Sequence, residues 1–197
     1  MTLQLALTGS IGMGKSTVAA MFVESGIPLF DADAEVRRLH LGGPVVEAIR
    51  ERWPEAVVRG AVDRELLGAA VLGDRDALAA LEVIVHPAVQ AAREEFVRRH
   101  HGAPALMFDI PLLFETGGEA AFDKVIVVSA PPELQRERVL ARPGMTRDKL
   151  AAILARQFPD ADKRRRADFV IDTAGPIAAT RGQVRRILAC LGLAAGE

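Results

Sequence analysis

Residues 3–17 read Leu3-Gln4-Leu5-Ala6-Leu7-Thr8-Gly9-Ser10-Ile11-Gly12-Met13-Gly14-Lys15-Ser16-Thr17. A short apolar run, Leu3 to Leu7, leads directly into G-x-x-x-x-G-K-[ST], spelled by Gly9 through Ser16. A glycine-rich turn that leaves a strand and opens a helix lets successive backbone N–H groups face one polyanion, and the helix adds the positive end of its dipole. In this pattern Lys15 reaches the outer phosphates, and the Ser16 hydroxyl is a ligand of the magnesium bound with them. The bland alternative is a strand-to-helix turn that binds nothing. It is disfavoured because the strand, both glycines, the lysine and the serine coincide. A bound nucleoside triphosphate is the expectation.

Four further apolar runs read as buried parallel strands: Pro28 to Phe30, Ala105 to Phe108, Lys124 to Val128 and Phe169 to Ile171. With helical stretches between them, they predict an α/β fold: a three-layer arrangement around a five-stranded parallel sheet. The first helix is expected to run from the loop to Ser25. Residues 45–101 are too long for one crossover and carry Leu66, Leu67, Val71, Leu72, Leu78, Leu81, Ile84 and Val85 at helical spacing, so they read as a helical insertion. Gly60, Gly73-Asp74 and Pro87 are its expected punctuation, and His86-Pro87 reads as a helix start. A last helix is expected over Ile177 to Leu193, with a frayed tail at Ala194 to Glu197.

The chain has 197 residues, half of them hydrophobic, enough for one compact unit with an insertion. Its 25 basic and 26 acidic side chains nearly cancel, which argues against a dedicated nucleic-acid binder. No apolar stretch approaches the roughly 20 residues needed to cross a bilayer, and no signal peptide is apparent. The single cysteine, Cys190, excludes an internal disulfide framework and is expected to be a small buried residue on the last helix. A cytoplasmic enzyme is the default reading.

Ligands of an open parallel sheet gather beyond the carboxyl ends of its strands. There the sequence places Asp31-Ala32-Asp33, Asp109 and Asp172. If the chain is still extended at Asp31 and Asp33, both point to one side of the sheet. Either could then cap the helix expected over Ala34 to Leu39, or accept a proton from an attacking hydroxyl. Asp31 is read first as the cap, and both readings stay open for Asp33. Ala105 to Asp109 has the form of a Walker B element, with Asp109 holding magnesium directly or through water.

From Arg136 to Arg166 ten basic residues face four acidic ones. Arg142-Pro143-Gly144 breaks this segment into helix, loop and helix, the layout of a lid that brings arginines to transferring phosphates. Arg147 and Lys149 read as a solvated face. Lys163-Arg164-Arg165-Arg166 also matches a nucleic-acid patch, a reading weakened by the absence of aromatic platforms. Asp172-Thr173-Ala174-Gly175 mimics the D-x-x-G of GTPase switches but lies far too late in the chain, and no Asn-Lys-x-Asp reader accompanies it. The four histidines show no metal-ligand spacing.

Taken together, the loop, Asp31-Ala32-Asp33, Val62-Asp63-Arg64, Leu81-Glu82 with His86-Pro87, Asp109 with Pro111-Leu112-Leu113-Phe114-Glu115, Gln135-Arg136, Arg138, Arg142, Arg156-Gln157 and Ala167-Asp168 resemble the dephospho-CoA kinase family. The resemblance covers nearly the whole chain. It implies transfer of the ATP γ-phosphoryl group, with magnesium, to the ribose 3′-hydroxyl of dephospho-CoA. It further implies Asp33 as general base, Gly12, Met13, Gly14, Lys15, Ser16 and Thr17 as the ATP loop, and Arg138 and Arg142 as lid arginines acting with Lys15 in catalysis. Thr8, Asp33, His86, Pro111 and Leu112 would meet the acceptor. Neither a nucleic acid nor a membrane is an expected partner. Ser10 and Thr173 depart from the family pattern, where glycine and asparagine are usual. The competing readings are another small P-loop kinase, of a nucleotide or a shikimate-like alcohol, and a non-catalytic ATP-binding regulator.

Overall fold

A computed structural model describes residues 2–193; the tail expected at Ala194 to Glu197 lies outside them. The chain divides into two compact units, one of residues 1–30 and 100–197, the other of Asp31–Arg99. The larger unit is built on strands β1 (Leu3–Thr8) and β2 (Leu29–Asp31), which flank helix α1 (Lys15–Glu24). The smaller unit supplies α2 (Ala32–Leu39), α3 (Pro44–Arg52), the short strands β3 (Val57–Val58) and β4 (Ala61–Val62), α4 (Arg64–Val71) and α5 (Arg75–Arg99). The larger unit then resumes with β5 (Ala105–Asp109), β6 (Lys124–Ser129), α6 (Pro132–Leu140), α7 (Arg147–Leu154), α8 (Asp160–Arg166), β7 (Phe169–Asp172) and α9 (Ile177–Cys190).

The five-stranded sheet has the order β2-β5-β1-β6-β7, with the strand that feeds the glycine loop at its centre. β1 pairs in parallel with β5, Leu7 opposite Asp109, and with β6, Thr8 opposite Val127. Strand periodicity sends alternate residues to opposite faces. Leu5, Leu7, Ile126 and Val128 accordingly pack with Val18, Phe22, Val184 and Leu188 of α1 and α9, whereas Ala6, Val125 and Val127 pack with Leu113 and Phe114 on the other side. These strands are apolar on both faces because both faces are covered. The central placement of β1 puts the loop after it amid the carboxyl ends of its neighbours.

The smaller unit has its own core, with Val46, Ile49, Trp53, Leu67, Val71 and Val85 at its centre. Asp63 caps α4 by accepting from Glu65 and Leu66 N–H at 2.9 and 3.1 Å, and Asp74 caps α5 through Asp76 and Ala77 N–H at 2.9 and 3.0 Å.

Several expected boundaries move. Strand two is Leu29–Asp31 rather than Pro28 to Phe30, and the later strands each run one residue further, to Asp109, Ser129 and Asp172. Pro87 does not punctuate the region, nor does His86-Pro87 begin a helix: both lie inside the 25-residue α5. Proline there removes one donor, orphaning the Val83 carbonyl, and Val83 is 74% exposed, so water can satisfy it. The β3–β4 ribbon had not been expected. Cys190 is exposed rather than buried, because α9 turns Val184, Ile187 and Leu188 inward and carries residue 190 to the outer face. The same helix stops at Cys190 instead of Leu193. Among the described residues no helix is long and apolar enough to cross a membrane.

Candidate functional site

In the larger unit the residues from Gly9 to Gly14 form a tight loop whose glycines are required by space. A Cβ on Gly9 would lie 2.6 Å from the Val128 carbonyl oxygen, and one on Gly12 would lie 2.5 Å from Val139 Cγ2. Gly12 and Gly14 also hold φ of 79° and 90°, the left-handed region that costs any side chain. Ser10 does not have a positive φ, and its carbonyl accepts from Met13 N–H at 3.2 Å. That position therefore makes no demand for glycine, and the departure from the family pattern is absorbed without strain.

Lys15 opens α1 and forms an ion pair with Asp109 at the end of β5. Neither side chain is more than 17% exposed, so the pair sits in a region of reduced dielectric. Ser16 and Thr17 occupy the exposed first turn of α1. The Ser16 hydroxyl and the Asp109 carboxylate are hard oxygen donors of the class magnesium takes. Among the described residues no group of three or more His, Cys, Asp or Glu side chains is placed to hold a metal. The donor set thus fits a magnesium ion that keeps water and phosphate oxygens for its other positions, rather than one caged by protein alone.

Thr173 joins the loop to the arginine segment. Its hydroxyl donates to the Met13 carbonyl at 2.7 Å and accepts from Arg138 Nη1 at 2.8 Å, while Arg138 Nη2 donates to the Thr173 carbonyl at 2.7 Å. Arg138 is thereby fixed beside the loop. With Arg142, Gly12, Gly14, Thr17, Gly175 and Thr180 it lines a cavity of about 230 Å³. The basic segment does form helix, loop and helix, with α6 ending at Leu140 and Thr146 capping α7.

In the run Lys163 to Arg166 only Lys163 is buried, and the three arginines are exposed. Lys163 is fully buried against Glu115 at 2.8 Å, Arg165 pairs with Asp162, and Arg166 pairs with Glu119 while stacking over Phe114, 4.8 Å from the ring centroid. Burial pushes the Glu115 carboxyl up, but the hydrogen bonds from Lys163 and Phe158 N–H outweigh it and hold the group below the usual carboxylate range. Asp168 behaves likewise: burial is overcome by Lys124 and by Val125 N–H at 2.8 Å, which makes it a fastener for the start of β6. Asp172 accepts from Ala174 N–H at 2.7 Å and so shapes the turn after β7. The Thr8 hydroxyl donates to the Pro111 carbonyl at 3.3 Å; Pro111 is half-buried and Leu112 exposed.

In the smaller unit Asp31 is a helix cap, accepting from Ala34 N–H at 2.8 Å. The chain is already helical at Ala32, so the extended geometry expected for Asp31 and Asp33 does not occur. Asp33 instead lies in the first turn of α2, where a carboxylate suits the helix dipole. It lines a cavity of about 730 Å³ together with His40 of the loop after α2 and with Leu81, Glu82, Val85 and His86 of α5. Asp33 and His86 are therefore brought to one cavity, and the unbroken helix through Pro87 is what presents His86 there. His40 is buried with both ring nitrogens unpaired. Burial, helped by the positive charge of Arg64, pushes its pKa down and keeps the ring neutral.

A family model described as dephospho-CoA kinase matches residues 3–179. The chain belongs to the dephospho-CoA kinase family. A curated relative from Mesorhizobium japonicum named dephospho-CoA kinase is 56% identical over 188 residues, covering 93% of this chain and 94% of its own length. Another, from Brucella melitensis, is 52% identical with coverage of 93% and 92%. A solved Thermus thermophilus protein superposes with a TM-score of 0.86 at 36% identity, over 96% of this chain and 97% of that one. Shikimate kinase from Acinetobacter baumannii shares the fold, with a TM-score of 0.56 at 19% identity over 97% and 93% of the two chains. From sequence, Gln135 and Gln157 are family residues with no role assigned, and Thr173 is a departure from the family pattern. Their partners lie up to 160 residues away, and nothing local announces them.

Proposed function

We propose that the protein transfers the γ-phosphoryl group of ATP to the 3′-hydroxyl of dephospho-CoA, the closing step of coenzyme A synthesis. The observation that carries this reading is the family match across residues 3–179, which takes in the glycine loop, Asp33, the helical segment and the arginines. The geometry of each unit supports a division of labour.

In the larger unit Gly12 to Thr17 cradle the triphosphate with backbone N–H groups, and Lys15 exchanges Asp109 for a phosphate oxygen. Ser16 and Asp109 would then hold magnesium, which supplies neutralisation of charge on the bridging and terminal oxygens. Arg138 and Arg142, lining the cavity beside the loop, meet charge that develops on the transferring group. The smaller unit takes the acceptor, with Asp33 and His86 in its cavity; Thr8, Pro111 and Leu112 are the acceptor residues of the larger unit. Asp33 accepts the hydroxyl proton as the acceptor oxygen bonds to the γ-phosphorus, and the bond to the β-phosphate oxygen breaks to release ADP. Residues 45–101 serve as the acceptor-binding region and 136–166 as the lid of one kinase domain. We place the reaction in the cytoplasm, consistent with a lone exposed thiol.

The test is a phosphotransfer assay with purified protein, ATP and magnesium, offering dephospho-CoA, adenosine monophosphate and shikimate in parallel. ADP release stimulated by dephospho-CoA alone is the expected result. Stimulation by either other acceptor, and not by dephospho-CoA, would overturn the reading.

A further inference from the structure

The backbone of Ile11 is held on both sides by side chains. Its N–H donates to Gln157 Oε1 at 3.1 Å, and its carbonyl accepts from Gln135 Nε2 at 2.7 Å. Ile11 lies inside the loop, two residues after Gly9 and one before Gly12. Backbone of a tight loop must place every N–H and C=O somewhere, and here both groups of Ile11 go to side chains. Gln135 is buried on α6, one turn before Arg138, and Gln157 follows Arg156 in the connection after α7. Both clamps thus belong to the segment that carries the arginines.

The second clamp is itself anchored. Phe158 N–H, adjacent to Gln157, donates to Glu115 Oε1 at 2.7 Å, and the same carboxylate holds the buried Lys163. Glu115 ends the Pro111-Leu112-Leu113-Phe114-Glu115 string. A continuous set of contacts therefore runs from that string through Phe158 and Gln157 to Ile11, and from Ile11 through Gln135 to the helix of Arg138.

Resting on the reading of the loop as the ATP cradle, we propose that Gln135 and Gln157 are positioning residues for phosphoryl transfer. They fix the two peptide groups flanking Ile11 so that the following N–H groups converge on phosphate before ATP arrives, and they tie the loop to the arginine segment. Glu115 is the anchor that keeps Gln157 in place. The physical return is preorganisation: a loop already shaped loses less freedom on binding, and a small displacement of the γ-phosphate is costly in rate.

The experiment measures steady-state kinetics, direct ATP titration and thermal melting for wild type, Gln157→Met, Gln135→Met, the double variant and Glu115→Gln. Wild-type turnover with dephospho-CoA checks the underlying reading by itself. Provided it is present, Gln157→Met is expected to raise KM for ATP about 10-fold and lower kcat several-fold, with KM for dephospho-CoA within about 2-fold. Because both glutamines act through the backbone of one residue, the double variant should fall well short of the product of the two single effects. Glu115→Gln should reproduce the ATP effect in part. If Gln135→Met does not fold, the half-buried Gln157 site carries the test alone. Unchanged ATP binding and kcat in a folded Gln157→Met variant, or a lowered melting temperature with normal ATP kinetics, would overturn the proposal. So would full multiplicativity in the double variant.

Discussion

Replacing Thr173 with valine removes one hydroxyl and keeps the shape of the side chain. Thr173 is 7% exposed and Met13 only 2%, so water does not replace the lost group. The Met13 carbonyl, which accepts the hydroxyl at 2.7 Å, becomes an unpaired buried acceptor, a cost of about 1–3 kcal/mol. Arg138 loses its contact to Oγ1 but retains the 2.7 Å bond to the Thr173 carbonyl, so this second loss is nearer 1 kcal/mol. The sum, about 2–4 kcal/mol, corresponds to a fall in melting temperature of about 5–15 °C for a chain of this length. Because the affected groups are the loop and an arginine beside it, about 1.4–2.8 kcal/mol of the change should reach the transition state, a 10–100-fold loss in kcat/KM for ATP. Thr173→Ser keeps the hydroxyl and should lose only the packing of one methyl. Melting curves and initial rates on the three proteins decide the matter. A valine variant that melts within about 2 °C of wild type with unchanged kcat/KM for ATP would show that Thr173 does not position the loop.

Asp33→Asn should leave ATP affinity intact and lower turnover by about 10²–10⁴-fold, as loss of a general base does; near-normal turnover would remove Asp33 from that role. Lys15→Met should weaken ATP binding and slow the reaction together, since it takes away the cation that meets the outer phosphates, and equal ATP titration curves would contradict the cradle. His40 titrates below its ordinary value in the folded chain and near pH 6.5 in the unfolded one. Below about pH 6.5 the unfolded state therefore binds more protons, and stability declines until the folded value is reached. Melting temperatures between about pH 8 and pH 5 should show this slope in wild type and a shallower one in His40→Leu; identical slopes would clear His40 of the effect.

Much of the larger unit was legible because its signals are local. Strands buried on both faces read as apolar runs, and the loop residues announce themselves by type and spacing. The misreadings have specific physical origins. His86-Pro87 looked like a helix start because proline suits a first turn, yet α5 continues through it where the orphaned carbonyl faces water. The ribbon escaped notice because its two-residue turn, Arg59-Gly60, holds φ of 52° and 84° with an arginine where asparagine or aspartate is the usual sign. Asp33 and His86 could be nominated from the family resemblance, but their meeting in one cavity depends on how α2 and α5 pack. The burial of Lys163 was not legible, since no sequence pattern reveals that Glu115, 48 residues earlier, is waiting for it. Ser10 is a mild departure from the family's glycine, and the backbone there does not need a positive φ.

The bond from Thr173 to the Met13 carbonyl spans 160 residues of sequence. During synthesis the whole glycine motif emerges about 160 residues before the hydroxyl that fastens it. Arg138 waits for the same residue. The nucleotide cradle is therefore written first and completed late, so an interrupted translation product ending before residue 173 carries the motif without its fastening.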